Sequence, residues 1–494
     1  LAEVISGNIG VLDTVTPIRR LAPRTKLYVR EVRSVDLENK SVTLSPGFDP
    51  APTVLEYDHL VMTLGNVTDF LRIPGLHDHA FPFKNLGDAL RLRDHLIHVL
   101  GEAAVTTNEE LRKQLLTFVV AGGGFSGVEV CAELNDFVRT CARKYYRINP
   151  TEIRVILVHA HDHILDGAMP EDLGMYAQRL LSKRGVEFIL NIHLQTATPE
   201  CAVLGDGRRI AARTLVSSVP ASPNPVVAAL GVPQERGRIK ADLKMQVEGF
   251  TNLWSLGDCA LIPNPSGEGF CPPTAQFAIR QGTTCAQNVL AAIDGRQQTD
   301  FRFTELGKMA SLGHRRAIAR LFNLFNLHGF IAWLFWRAAY WSKLPGLDRK
   351  IKVGASWFID IFCGPELVQT KLDAPPGMLE QHFEPGEIVV KEGNPVDRLL
   401  IITAGKGEVF LDRGGAGDEV LEELRAGDCF GVAAILDNEL CSVSLRCIES
   451  MTVIGYKRKE LAPLLGVAAL RDALDELRCE KESGETLGEC DDEM

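Results

Sequence analysis

The alternation of apolar and polar positions gives the chain several textures. Residues 1–110 carry short apolar runs broken by turns: 27–32 and 41–44 read as short strands, and 60–64 as an apolar strand closing on Gly65. From Leu115 the pattern changes. A fully apolar run (115–120) enters a glycine turn, a helical period covers about 126–144, and a second apolar run covers 154–158. A helix at about 171–184 and a strand at 186–190 follow. Strands alternating with helices of this length predict a parallel, doubly wound sheet. Another strand ends at Ser217, the run 254–256 enters Gly257-Asp258, and residues 273–292 read as one long helix. Residues 301–360 are rich in aromatics, and Pro375-Pro376 marks a linker. Residues 380–465 are short strands punctuated by glycine, an all-β signature. The acidic tail from Glu480 predicts disorder, and no repeat of solenoid period is present.

Composition narrows the classes. A chain of 494 residues has room for about three domains, and 46% hydrophobic with 24% charged residues is an ordinary globular balance. Net charge −11 does not invite a polyanion, so no nucleic-acid partner is expected. No two of the 12 cysteines stand in C-x-x-C spacing, which argues against a redox pair or zinc ribbon and reads as reduced, cytoplasmic-type thiols. The longest apolar run, 330–336, is stopped by Arg337, far short of the ~18 residues of a membrane span. Leu1 opens in what reads as the middle of a domain, so the lack of a signal peptide says nothing about localisation.

The strongest chemical signal is the run VVAGGGFSGVE, where Gly122-x-Gly124-x-x-Gly127 follows a strand and opens a helix. Gly122 permits the turn, Gly124 admits a pyrophosphate to the backbone, and Gly127 lets the helix pack closely, with its N-terminus facing the phosphates. This context predicts a dinucleotide site. The next strand of such a unit ends in an acid for the adenosine ribose, but here it ends in His159, the first residue of His159-Ala160-His161-Asp162-His163. An imidazole cannot accept from both ribose hydroxyls, so weak discrimination at the ribose is expected, with Glu in its place favouring NADH. With no nearby Cys or Glu, the three histidines read as a polar strand end, and no metal is assigned.

The strand closing on Thr63-Leu64-Gly65, the glycine unit and the strand Leu253-Trp254-Ser255-Leu256 running into Gly257-Asp258 stand in the order of the two-dinucleotide-binding flavoproteins, which they resemble. That resemblance implies an α/β fold with two Rossmann-like domains, one for FAD and an inserted one for NAD(P)H. It places Thr63, Gly65, Gly257 and Asp258 on the flavin. The helix Pro273-Thr274-Ala275-Gln276-Phe277-Ala278-Ile279-Arg280-Gln281 and the run Gly329 to Arg337 are similar to the type II NADH dehydrogenases, single-subunit NADH:quinone oxidoreductases, as are residues 1–20 and 37–44. Membership implies hydride transfer from nicotinamide to flavin, then two electrons to a quinone. It puts Ala275 and Gln276 where flavin meets quinone, Arg280 and Gln281 beside the quinone, and Glu129 near both substrates. Glu129 also reads simply as an acid in the first turns of a helix. Arg280 departs from the family's second Gln, and Ser217-Ser218-Val219-Pro220-Ala221 lacks its glycine.

The aromatics of 320–341 read first as core at helical spacing, and alternatively as an amphipathic surface with Arg315, Arg316, Arg320 and Arg337 toward headgroups. Residues 380–460 resemble the cyclic-nucleotide-binding β-roll, but Val432 and Cys441 stand where binders carry the ribose Glu and phosphate Arg. A dimer or partner surface is the expected use of that fold. The implied organisation is 1–110 and 226–370 for the flavin domain with its quinone and membrane-facing section, 111–225 for NAD(P)H, 380–465 for the β-roll and 466–494 for the tail. The resemblance also implies a homodimer and a cytoplasmic protein able to dock on the inner face of the cell membrane. It places a first glycine unit ahead of Gly65, which this sequence does not contain, so weak retention of FAD is expected. Two rival readings remain: a sulfide:quinone or disulfide reductase using Cys131, Cys259 or Cys271, and a non-catalytic nucleotide-sensing scaffold.

Overall fold

The computed structural model describes residues 1–45, 52–68, 73–198, 200–218, 221–267, 269–322, 324–344, 346–359, 378–383, 385–393, 398–411, 413, 418–432 and 441–457. The linker at Pro375-Pro376 and the tail from Glu480 lie outside these residues.

Five parallel strands form the sheet that carries the glycine turn. Their order is Phe81–Pro82, Thr214–Ser217, Thr117–Ala121, Arg154–Val158 and Val186–Ile189. Thr117–Ala121 is buried at every position, as a central strand covered on both faces must be. Phe118 and Val120 face a core containing Leu92, Leu96, Leu100 and Leu134 from the helices Leu86–Val105 and Phe125–Cys141. Val119 and Ala121 face the opposite core with Ile156, Leu194 and Leu204. The period of two along one strand thus serves two cores. Asn85 starts Leu86–Val105 with a capping box to Asp88. The helix predicted to reach residue 144 leaves α geometry at Cys141, where the wider turn Ala142–Tyr146 takes over and Arg147, at φ 52°, ends it.

A second region holds the parallel pair Leu60–Met62 and Leu253–Ser255, and an antiparallel sheet of Val32–Asp36, Ser41–Leu44 and Thr53–Glu56. The strand expected at 27–32 begins only at Val32. Tyr28 and Val29 are exposed, so their apolar character finds no second layer to pack on. The long helix Ala275–Ile293 packs Phe277 and Cys285 against Trp254 and Phe301. A meander follows, Gly307–Ser311, Ala317–Leu321 and Phe325–His328, with Ala332 and Trp336 of the helix Gly329–Lys343 seated on Ala317 and Ala319.

The aromatic section is not core as first read. Trp336 is buried, but Phe322, Phe325, Phe330, Phe335, Tyr340 and Trp341 are exposed, together with Ile331 and Leu334. The small residues Ala317, Ala319 and Ala332 form the contact, so the helix seats by one narrow stripe and leaves the rest of its apolar surface outside. Arg337 also departs from expectation. It turns inward and pairs with Glu3 at 3.1 Å instead of facing outward with the other arginines. Beyond residue 377, Met378–Phe383, Ser444–Lys457, Arg398–Leu411 and Glu419–Arg425 form an antiparallel sheet in that order, around Ile402, Leu424, Leu445, Cys447 and Val453.

Candidate active site

At the carboxyl end of Thr117–Ala121 the chain turns at Gly122, where φ is +108°, and enters the helix Phe125–Cys141. The glycines of this turn differ in what surrounds them. A Cβ on Gly127 would stand 1.9 Å from the Gly122 carbonyl oxygen, and one on Gly122 would stand 2.7 Å from the Ser218 oxygen. One on Gly124 would meet nothing within 4 Å, so its backbone faces open space at the helix N-terminus. A cavity of about 760 Å³ opens there, lined by residues including Gly122, Gly124, His159, His161, His193 and Ser218. Unpaired amides at a helix N-terminus beside such a cavity suit a pyrophosphate. The residues present therefore fit a dinucleotide.

His159 is half-buried at the rim, and its Nδ1 accepts the Gly123 N–H at 3.0 Å. Gly123 is the member of the turn that motif reasoning passed over, since its position in G-x-G-x-x-G is free. The run of three glycines was the available signal. His161 Nδ1 lies 3.2 Å from Asp166 and His163 Nδ1 lies 2.6 Å from Asp162. Among the described residues, no three His, Cys, Asp or Glu side chains come together to hold a metal ion.

The second site lies where the strands Leu60–Met62 and Leu253–Ser255 end side by side. Gly65 and Gly257 both adopt positive φ, at 64° and 73°. Asp258 is half-buried, and its negative charge favours the charged form of Lys84, opposing the burial that pulls that ammonium down. Lys84 Nζ donates to the Asn66 carbonyl. Thr63 and Ala275 are exposed. Thr274 Oγ, at the cap of Ala275–Ile293, is buried with no hydrogen-bond partner, the kind of orphan group a bound ligand satisfies. Those residues fit a flavin: the glycine turns would take its close approach, and Asp258 its polar chain.

The strand Gly307–Ser311 touches both the helix Ala275–Ile293 and the helix Phe125–Cys141. Gln276 Nε2 donates to the Gly307 carbonyl at 3.3 Å and to Glu305 at 3.2 Å. At the other end of the strand, the Ser311 N–H donates to Glu129 Oε1 at 2.9 Å. One short strand, about 13 Å from Gly307 to Ser311 at ~3.3 Å per residue, therefore links Gln276 to Glu129. Arg280 Nη1 donates back to the Gln276 carbonyl at 2.9 Å and its guanidinium lies 4.1 Å from the centre of the Phe303 ring. Gln281 is buried and its Oε1 accepts the Gly257 N–H at 3.0 Å, so it supports the flavin-side turn. Ser311 carries no motif, and nothing in the sequence singles it out.

Burial raises the Glu129 carboxyl to about 7, against the Ser311 amide, which lowers it. One turn on, burial and then the charge of Glu3 push Glu133 upward as well.

Comparison with known proteins places this geometry. Residues 2–282 match the family model described as pyridine nucleotide-disulphide oxidoreductase, 306–366 the NDH2 C-terminal domain and 380–466 the cyclic nucleotide-binding domain. A type II NADH:quinone oxidoreductase, NdhA, of Mycobacterium tuberculosis is 30% identical over 378 residues, 73% of this chain and 78% of that protein. An internal alternative NAD(P)H-ubiquinone oxidoreductase A1, mitochondrial, of Solanum tuberosum is 27% identical over 402 residues, covering 74% and 79%. The solved structure of NDH2 from Plasmodium falciparum in complex with NADH superimposes with a TM-score of 0.68 at 16% identity, over 74% of this chain and 91% of that one. The chain therefore belongs to the pyridine nucleotide-disulphide oxidoreductase family and, within it, to the type II NADH:quinone oxidoreductases.

Proposed function

We propose that this chain is a FAD-dependent NAD(P)H:quinone oxidoreductase. The observation that carries the reading is the strand Gly307–Ser311, which ties the nucleotide helix, through Glu129, to the Ala-Gln helix, through Gln276. Bound flavin supplies the hydride acceptor and the electron donor to the quinone. In this reading the protein's part is alignment and proton handling. Gly122, Gly124 and Gly127 seat the pyrophosphate, while Gly65, Gly257 and Asp258 seat the flavin. Gln276 and Arg280 border the quinone. The test is quinone-dependent NADH oxidation by the chain supplied with FAD, with a visible spectrum of the purified protein. A flavin spectrum without quinone-dependent turnover overturns the proposal.

The overall reaction consumes one proton: NAD(P)H + H⁺ + quinone gives NAD(P)⁺ + quinol. Glu129 exchanges a proton near neutrality, so turnover with quinone is expected to fall as pH rises through about 7. Glu129→Gln is expected to remove that inflection. Stability carries the matching sign. A carboxyl whose folded value is raised binds its proton more tightly when folded, so its favourable contribution is present below about 4.5 and lost as pH rises to about 7. Glu129→Gln should therefore be about 3 kcal/mol more stable than wild type above pH 7 and no more stable below pH 4.5. Chemical denaturation at the two pH values checks it.

The sulfide:quinone alternative needs thiolates. Burial pushes the Cys131 thiol up to about 12 and raises Cys271, while Cys259 is buried, so none is poised as a nucleophile. No helix among the described residues is long and apolar enough to cross a membrane. The exposed Phe330, Ile331, Leu334, Phe335 and Trp341 of Gly329–Lys343 instead support peripheral docking on a bilayer, read by co-sedimentation with lipid vesicles. A homodimer belongs to the same proposal, and light scattering reads it.

The β-roll is expected to leave cyclic nucleotides unbound. Val432 and Cys441 are buried in or beside its core, and residues 433–440 lie outside the described residues. Arg446, which could serve as a substitute phosphate ligand, is engaged by Glu408 and by Asp418 at 2.8 Å. Calorimetry with cAMP and cGMP up to about 100 μM should show no heat of binding; a guanidinium held by two carboxylates has little to offer a phosphate.

A further inference from the structure

We infer that His159 makes the adenosine end of the cavity a receptor for 2′-phosphorylated dinucleotides as well as unphosphorylated ones, acting as a fixed hydrogen-bond donor. The inference rests on the nucleotide reading above and names the substrate class of that site.

The tautomer follows from the backbone. Gly123 N–H donates to His159 Nδ1 at 3.0 Å, so Nδ1 carries the lone pair and the neutral ring holds its proton on Nε2. Burial, and then the neighbouring His161, hold the ring's affinity for a second proton below its ordinary value. The atom left to meet a ligand is therefore a neutral N–H donor. An acid at this strand end would accept from the ribose hydroxyls and repel a phosphate. A donor does neither, and a 2′-phosphate only accepts.

Among the described residues, the lining of the cavity includes the imidazoles of His159, His161 and His193 and no carboxylate. The acids near this rim are paired with histidines: Asp166 with His161 and, at 3.6 Å, with His163, its charge opposing the burial that lowers His159; Asp162 with His163 at 2.6 Å. The ring's position is equally built. A Cβ on residue 123 would stand 2.6 Å from His159 Cγ, so the imidazole rests on a bare glycine. Glycine at the motif's free position and histidine at the strand end form one device.

Calorimetry with the full chain tests this without the flavin or the nicotinamide, using ADP-ribose and its 2′-phosphorylated form as probes. Wild type is expected to bind the two within tenfold of each other. His159→Glu should weaken the 2′-phosphorylated probe at least thirtyfold and leave ADP-ribose unchanged or tighter. His159→Gln, which keeps a donor, should stay within about threefold of the wild-type ratio. A hundredfold wild-type preference for ADP-ribose, or equal weakening of both probes in the Glu variant, overturns the inference. Failure of wild type to bind either probe overturns the nucleotide reading itself.

Discussion

Gly127→Ala is expected to abolish dinucleotide binding and destabilise the whole nucleotide-binding sheet, whereas Gly124→Ala should affect binding alone. The added methyl at 127 would sit 1.9 Å from the Gly122 carbonyl oxygen, a backbone atom that cannot rotate away. Relief requires the helix Phe125–Cys141 to lift off the strand Thr117–Ala121. That helix contributes Val128, Val130, Leu134 and Phe137 to the main core, so displacement costs about 3 kcal/mol or more. At 124 the methyl enters open space, and φ of −75° with ψ of −173° suits any residue. It would crowd only a ligand. The expected result is a melting temperature for Gly124→Ala within about 2 °C of wild type, with KM for NADH raised at least tenfold. For Gly127→Ala a loss of several degrees is expected, with no saturable NADH binding. Equal melting temperatures for the two variants would remove the distinction between approach and packing. The rough scale of degrees follows from the modest shift a few kcal/mol produces in a domain of this size.

Much of this site was legible because its constraints are local. The glycine spacing demands a strand before it and a helix after it, and the apolar run at 115–120 and helical period supplied both. Gly257-Asp258 was legible for the same reason, as a strand end entering a turn. What the sequence did not show are partnerships between distant segments. Ser311 offers a backbone N–H to Glu129 across 182 positions, and a main-chain donor has no side-chain signature. Gln281 was assigned beside the quinone with Arg280, but a helix turns about 100° per residue, which sends it inward to Gly257 instead. The aromatic helix misled for a related reason. Phe and Trp at helical spacing say that a face exists, but whether another layer covers it is decided elsewhere in the chain.

Arg337→Ala should be the most damaging single change in the aromatic section. The guanidinium lies between Trp333, at 4.9 Å from the ring centre, and Trp357, at 4.2 Å, while its Nη2 meets Glu3 at 3.1 Å. It thus joins three helices: Ala2–Ser6, Gly329–Lys343 and Leu347–Ile359. Its partner is 5% exposed, and the charge of Glu3 already raises Glu133 nearby. Removing the cation strips the buried Glu3 carboxylate of its Arg337 partner beside Glu133, at a cost of about 3–5 kcal/mol. The two lost cation–π contacts add roughly 1–2 kcal/mol more. Because the damage is a buried negative charge that has lost its cation, it should shrink as pH falls. It should also be partly rescued by adding Glu3→Gln, which removes the carboxylate that Arg337 paired. Thermal unfolding at pH 5 and pH 8 of the single and double variants reads both effects. A deficit of the same size at both pH values, unrelieved by Glu3→Gln, would mean that Arg337 acts through packing on Trp333 and Trp357 rather than through charge.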